Sequence, residues 1–259
     1  EVRDKWVSDQ FCEVFGKKRG RDDDLTGHHK HIAAALQLRL EEVVLAQLQK
    51  AQKQYQVNRL CLSGGVALNC SMNGKIEQSG IFDEIFVQPA SGDAGVAVGA
   101  CYLAHKAREP EFKPRKMHNF FLGSVFEDQE IADVLFERGM TVTRPENLFE
   151  RTASRLAEGR IIGWFQGGAE FGPRALGNRS ILTRPFPAEM KDYLNARVKF
   201  REEFRPFAPA VLAEKVQEWF EIDSESPYML LVAGVREDKR LPMTEEQKKL
   251  FGIDLLNIP

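Results

Sequence analysis

Two arginines stand close together in a loop bounded by glycine and proline, Glu170-Phe171-Gly172-Pro173-Arg174-Ala175-Leu176-Gly177-Asn178-Arg179-Ser180. A guanidinium keeps its charge and presents a planar fork of donors that matches phosphate or carboxylate oxygens in pairs. A second basic group follows about one helix later, in Lys199-Phe200-Arg201-Glu202-Glu203-Phe204-Arg205-Pro206-Phe207-Ala208-Pro209. Prolines stiffen the backbone around Arg205 and favour a preorganised contact. Arg174, Arg179, Lys199 and Arg205 together describe a pocket for a phosphorylated anion. The competing explanation is surface arginine paired with Glu170, Glu202 and Glu203. It suits Arg201 and fits poorly with Arg174, which lies among apolar and glycine residues.

Two glycine turns carry the other candidates. In Ser63-Gly64-Gly65-Val66-Ala67-Leu68-Asn69, paired glycines between a strand and a helix let backbone approach a phosphate or ribose. No G-K-[ST] follows and the pattern is not G-x-G-x-x-G, so a nucleotide contact and a plain tight turn both remain open. In Ser91-Gly92-Asp93-Ala94-Gly95, an acid held between glycines can reach a metal or a polarised water, or it can cap the helix that follows. His28, His29 and His31 resemble a metal cluster, but a helix start explains them at less cost. Cys12, Cys61, Cys70 and Cys101 form no C-x-x-C pair; Cys61, Cys70 and Cys101 sit among apolar or small residues and are expected to be small buried hydrophobes, not catalytic thiols.

These residues need elements to hold them. The 259-residue chain is 43% hydrophobic and 29% charged, the composition of a globular core. A net charge of −2 argues against nucleic-acid binding driven by bulk charge. No apolar run is long enough for a membrane span, and EVRDKWVSDQ lacks a signal-peptide core, so a cytoplasmic location is expected. The pattern predicts a long amphipathic helix after the histidines and strands at Arg59–Leu62 and in IFDEIFVQP. Helices are predicted after each glycine turn. EPEFKPRKMH has the composition of a connection. Further on, FEDQEIADVLFERG and NLFERTASRLAEG predict helices that stop at Gly139 and Gly159, RIIGWFQ a strand, and GGAEFGPRALGNRSIL a loop. FPAEMKDYLNARVKF reads as a helix, PYMLLVAGV as a strand and TEEQKKLFG as a short helix. The fold class is α/β.

Four strings, LCLSGGVALNCSMNGKI, IFVQPASGDAGVAVGACYLA, IIGWFQGGAEFGPRALGNRSIL and VKFREEFRPFAPAVL, resemble the O-carbamoyltransferase family, of nodulation-protein-U and antibiotic carbamoyltransferase type. The resemblance runs from about residue 30 to about 235, and FGPRALGNRS and FRPFAP are its most specific parts. It implies part of a Kae1-like domain, of the actin, Hsp70 and sugar-kinase class, at 1–107, a linker at 108–116, and most of a YrdC-like α/β domain at 117–259. The implied reaction cleaves carbamoyl phosphate, joins the carbamate to ATP as carbamoyl-adenylate, and passes the carbamoyl group to a hydroxyl of a sugar or antibiotic-like acceptor. By position, Gly64, Gly65 and Asn69 match the nucleotide turn, and Arg174, Arg179, Lys199 and Arg205 match carbamoyl phosphate and ATP ligands. Arg174, Lys199 and Arg205 carry the catalytic role, and Asp93 the metal. Iron(II) or a similar divalent metal is implied, with magnesium as a further ion.

The family pattern also has an H-x-x-x-H pair for the metal, which this sequence lacks, and later strings that do not occur before Pro259. The expectation is a chain cut down at both ends, with an incomplete metal site and enough open apolar surface to form a homodimer. Two alternatives stay open. One is a nucleotide- or anion-binding module without turnover. The other is a threonylcarbamoyl or hydrogenase-maturation type of carbamoyl enzyme, against which the FGPRALGNRS context and the absence of cysteine pairs both count.

Overall fold

The computed structural model describes residues 7–20, 22–114 and 117–250. The chain falls into two units, Glu1–Gln47 with Pro242–Pro259, and Leu48–Leu241.

In the first unit, Ser8 caps α1 (Asp9–Phe15), its hydroxyl oxygen accepting from Phe11 N at 3.1 Å. His28 donates a ring N–H to the Phe15 carbonyl at 2.6 Å, and His29 Nδ1 accepts from Thr26 N at 3.1 Å. Both rings therefore serve the turn into α2 (Gly27–Tyr55), as the helix-start explanation requires. Half-buried positions recur along α2 at three- and four-residue spacing, but none of its residues is fully buried. Of the predicted helix at TEEQKKLFG, the part up to Leu250 contains a single 3-10 turn, Gln247–Lys249, and Phe251 and Gly252 lie outside the described residues.

The second unit takes in the last turns of α2, from Leu48, and then a β-α-β crossover. Strand β1 (Arg59–Leu62) runs parallel to β2 (Glu84–Val87), in register from Arg59 with Glu84 to Leu62 with Val87. Asn58 Nδ2 donates to Asp83 Oδ2 at 2.8 Å and aligns the strand starts. Between the strands lie a 3-10 turn, Gly65–Leu68, and α3 (Cys70–Gln78), which Asn69 caps by accepting from Met72 N at 2.9 Å. The inner face of α3 is Met72, Asn73, Gly74 and Ile76. α4 (Val96–Arg108) follows the second glycine turn and leaves Val96 and Leu103 exposed.

PYMLLVAGV does not form a strand. Only Val235 bridges, to Phe220. The run instead passes α3 as irregular chain: Leu230 is buried there, while Val232 and Val235 stay exposed. The fully buried Asn73 donates Nδ2 to the Ala67 and Leu230 carbonyls at 2.8 and 3.0 Å. Leu230 completes a core with Ala67 and Val87. At Gly74 a Cβ would stand 2.2 Å from the Val232 carbonyl oxygen, so the two backbones touch.

Later in the unit, α5 (Asp128–Glu137) and α6 (Leu148–Ala157) stop at Gly139 and Gly159, both at positive φ. Arg184 Nη1 donates to the Ala157 carbonyl at 2.9 Å, placing a cation at the α6 carboxyl end. β3 (Ile162–Phe165) pairs antiparallel with β4 (Arg179–Leu182). The sequence pattern assigns β4 to a loop, because four residues show no period and gain strand geometry only from their partner. α7 (Glu189–Leu194) widens into a π turn, Asn195–Lys199, and the short α8 (Val216–Trp219) comes later.

The cysteines are not the buried hydrophobes expected. All four are free; Cys61 and Cys101 are exposed, while Cys12 and Cys70 are half-buried. Cys61 lies on a two-stranded sheet and Cys101 on α4, and neither element is covered on all sides by described residues.

The Gly74 contact makes a stability prediction. Gly74→Ala is expected to cost about 1–3 kcal/mol by overpacking, read as a lower urea midpoint. Gly163→Ala, whose Cβ meets nothing within 4 Å, is expected to be neutral. Equal midpoints for both variants would mean that Val232 does not lie against α3.

Candidate functional site

Both glycine turns leave the carboxyl ends of the parallel strands, the edge where open α/β sheets place ligands. Gly64 N donates to the Ser91 carbonyl at 2.9 Å and ties one turn to the other. Gly64 has φ 99°, and a Cβ at Gly64 or Gly65 would meet nothing within 4 Å. Gly95 answers a different need, since a Cβ there would stand 2.2 Å from the Ala90 carbonyl oxygen. The turns border a cleft of about 630 Å³, with Ser63, Gly64, Gln88, Ser91 and Asp93 on its polar side and Phe86, Tyr102 and Phe120 on its apolar side.

Asp93 is exposed at the start of a 3-10 turn. It does not cap α4: Gly95 occupies the cap position, with no side-chain bond there. Its carboxylate therefore stays open to the cleft. Among the described residues no group of three His, Cys, Asp or Glu side chains could hold a metal ion. Asp93 is a single candidate ligand and the donor set around it does not make a metal centre. Asn69 both caps α3 and follows Leu68 in the same turn.

The arginine loop is folded around Glu170. Its Oε1 accepts from Leu176 N at 2.7 Å, Asn178 N at 2.8 Å and Arg179 N at 3.1 Å. Burial raises the carboxyl's pKa, but the backbone N–H groups of Leu176, Asn178, Glu170 itself and Arg179 outweigh it and hold the group below its ordinary value. Glu170 thus organises backbone, whereas an ion pair with an arginine is the simpler expectation from sequence. Asn178, also buried, donates Nδ2 to the Gly168 carbonyl at 2.7 Å and closes the loop from the other side.

The two arginines of this loop separate in role. Arg179 donates Nη1 to the Gln166 and Asn178 carbonyls and Nη2 to the Gly167 and Ser124 carbonyls, at 2.6 to 3.2 Å. Its guanidinium also lies 3.5 Å from the Phe165 ring centre. With four carbonyls in place it is a clip between chain segments. Arg174 is half-buried and, among the described residues, holds one long contact, Nη2 to the Leu68 carbonyl at 3.5 Å, while its buried Nε has no partner there. Gly172, at φ 135°, lets the loop press against Pro89 and Ala90. Arg174 therefore stands beside the first glycine turn with donors to offer.

The second basic group sits on a separate loop. Lys199 is exposed. Arg205 is exposed and pairs with Glu202 at 2.8 Å. Arg201, the expected surface charge, is instead anchored: Nε donates to Asn195 Oδ1 at 2.7 Å and the guanidinium lies 4.7 Å from the Phe207 ring centre. Gly64 and Asp93 line the cleft, Gly65 and Asn69 belong to the first glycine turn and its helix cap, and Arg174 reaches that turn at the Leu68 carbonyl. Among the described residues no hydrogen bond joins Lys199 or Arg205 to that group. Sequence reasoning missed Glu170 and Asn195 as organisers; the signal was a helix-averse asparagine inside the helical FPAEMKDYLNARVKF.

Comparison with known proteins identifies the family. Residues 4–102 match the family model described as carbamoyltransferase N-terminus, and residues 153–248 that described as carbamoyltransferase C-terminus. An uncharacterized protein of Synechocystis is 46% identical over 96% of this chain and 42% of its own length. Nodulation protein NolO of Bradyrhizobium diazoefficiens is 41% identical over 83% of this chain and 40% of its own. The 3'-hydroxymethylcephem-O-carbamoyltransferase of Streptomyces clavuligerus is 36% identical over 69% of this chain and 33% of its own. The chain spans about two fifths or less of the length of these relatives.

The Glu170 cluster sets a pH dependence. A carboxyl held below its ordinary value of 4.5 adds stability that is fully present above that value and is lost as pH falls through the folded value. Wild type is expected to exceed Glu170→Gln in stability at pH 7, with the gap narrowing below about pH 4.5. Denaturant unfolding from pH 7 to 3 measures it; a gap that stays constant with pH would show that the charge on Glu170 does not hold the loop.

Proposed function

The chain belongs to the O-carbamoyltransferase family, and from that membership we propose that it takes part in ATP-dependent carbamoyl transfer from carbamoyl phosphate to a hydroxyl. The observation that carries this reading is the Glu170-held loop, which sets Arg174 against the Leu68 carbonyl beside an open glycine turn. A phosphorylated substrate needs fixed cations more than it needs covalent help, because most of the barrier lies in charge. The half-buried Arg174 guanidinium, with no partner at its buried Nε among the described residues, has already met part of the desolvation cost of such a contact.

In the proposed sequence, carbamoyl phosphate is hydrolysed to carbamate and phosphate. A carbamate oxygen then attacks the α-phosphorus of ATP and pyrophosphate leaves. The acceptor oxygen attacks the carbamoyl carbon, loses its proton, and AMP departs. Arg174, Lys199 and Arg205 are the proposed ligands of the phosphates, with magnesium as their counter-ion, and Gly64, Gly65 and Asn69 of the nucleotide. Arg179 supports the pocket as a clip. Asp93 would contribute one ligand to an iron(II) or similar metal. The parts on either side of 108–116 are assigned to Kae1-like and YrdC-like domains on family grounds. One relative's name specifies a hydroxymethyl acceptor, which supports a small hydroxyl-bearing acceptor of sugar or antibiotic type here.

Calorimetric titration of carbamoyl phosphate, against inorganic phosphate, tests the reading. Saturable binding that prefers carbamoyl phosphate is expected, with Arg174→Ala weaker by about 1.5–3 kcal/mol, the worth of a charge-assisted hydrogen bond. Binding of carbamoyl phosphate and ATP without pyrophosphate release would leave a binding module. An Arg174→Ala variant that binds like wild type would remove the pocket assignment.

A further inference from the structure

We infer that Phe200 is the stacking platform of a nucleotide subsite: it takes the base of a purine nucleoside triphosphate whose phosphates lie toward Lys199 and Arg205. This deepens the proposed use of ATP and rests on it.

Phe200 ends the π turn with φ 49° and ψ 52°, a left-handed conformation that a bulky side chain rarely adopts. The residue is 83% exposed. A strained backbone that buried an aromatic ring would be explained by packing. Here the strain presents the ring to solvent, and strain of this kind collects at binding sites when its surroundings enforce it. The surroundings do enforce it. The Asn195 carbonyl accepts from both Phe200 N and Arg201 N. The Asn195 side chain, 0% exposed, donates to the Glu203 and Arg205 carbonyls at 3.1 and 2.9 Å and accepts from Arg201 Nε. One buried amide thus fixes the corner from Phe200 to Arg205.

The charges around the ring assign the two ends of the ligand. Phe200 borders a hollow of about 420 Å³ with Ala196, Arg201 and Glu202. Glu202 disfavours phosphate inside the hollow, and Arg201 is occupied by Asn195 and Phe207. A neutral aromatic base suits that space, since every base has a face that stacks on an aromatic ring. Lys199 is adjacent and exposed. Among the described residues the Arg205 side chain is held by Glu202 alone, with side chains 51% and 56% exposed, a pair that water screens and a phosphate can displace.

Titrate ATP, tripolyphosphate and carbamoyl phosphate into the full chain, as wild type, Phe200→Gly and Phe200→Tyr. Phe200→Gly is expected to raise the melting temperature, because glycine accepts this backbone freely. It is expected to weaken ATP by roughly 5- to 150-fold while tripolyphosphate binds as before. Phe200→Tyr should keep ATP within a few-fold. Unchanged ATP affinity in Phe200→Gly, with carbamoyl phosphate binding intact, sinks the base subsite and leaves the carbamoyl phosphate pocket standing. An equal loss of ATP and tripolyphosphate makes Phe200 a fold residue and overturns the inference. A folded wild type that binds no ATP ends the ATP reading and the subsite together.

Discussion

Three backbone N–H groups converge on one carboxylate oxygen of Glu170, and the arrangement of the arginine loop follows from that convergence. A loop with this much glycine has many conformations, and ordering it costs entropy at every residue. Charge-assisted hydrogen bonds offset that cost better than neutral ones. They fold the chain back so that the Arg179 guanidinium reaches four carbonyls and β4 pairs with β3. What remains of the loop is a half-buried Arg174 directed at the first glycine turn.

Buried amides do the corresponding work elsewhere. Asn73 joins Ala67 to Leu230, residues far apart in the chain, and Asn195 joins the π turn to Glu203 and Arg205. An amide can do this because it donates two hydrogen bonds without bringing a charge into the core. Each sits where two irregular segments meet, positions that no regular ladder could satisfy.

The basic residues sort by how fully their donors are occupied. Arg179 and Arg201 are committed to carbonyls, an amide and aromatic faces. Arg174 has an orphaned Nε, Lys199 faces solvent, and Arg205 has one weak surface partner. Charge alone does not separate these five side chains; the geometry of their neighbours does. The cleft with Asp93 and the hollow with Phe200 are lined by different loops.

Family, strand–turn–helix order and the glycine turns were legible in the residues, because each depends on local geometry. Gly64 at positive φ, Asn69 as a helix cap, and β1 and β2 with a helix between them need no distant partner to be recognised. The histidine run at a helix start was legible for the same reason. Three things were not. β4 exists only by pairing with β3, and PYMLLVAGV is core chain instead of a strand because Asn73 and Gly74 receive its backbone. The roles of Arg179, Arg201 and Arg205 were decided by which acceptors came within reach. Sequence determines what each side chain can donate, but only the tertiary structure determines which of those donors are already taken.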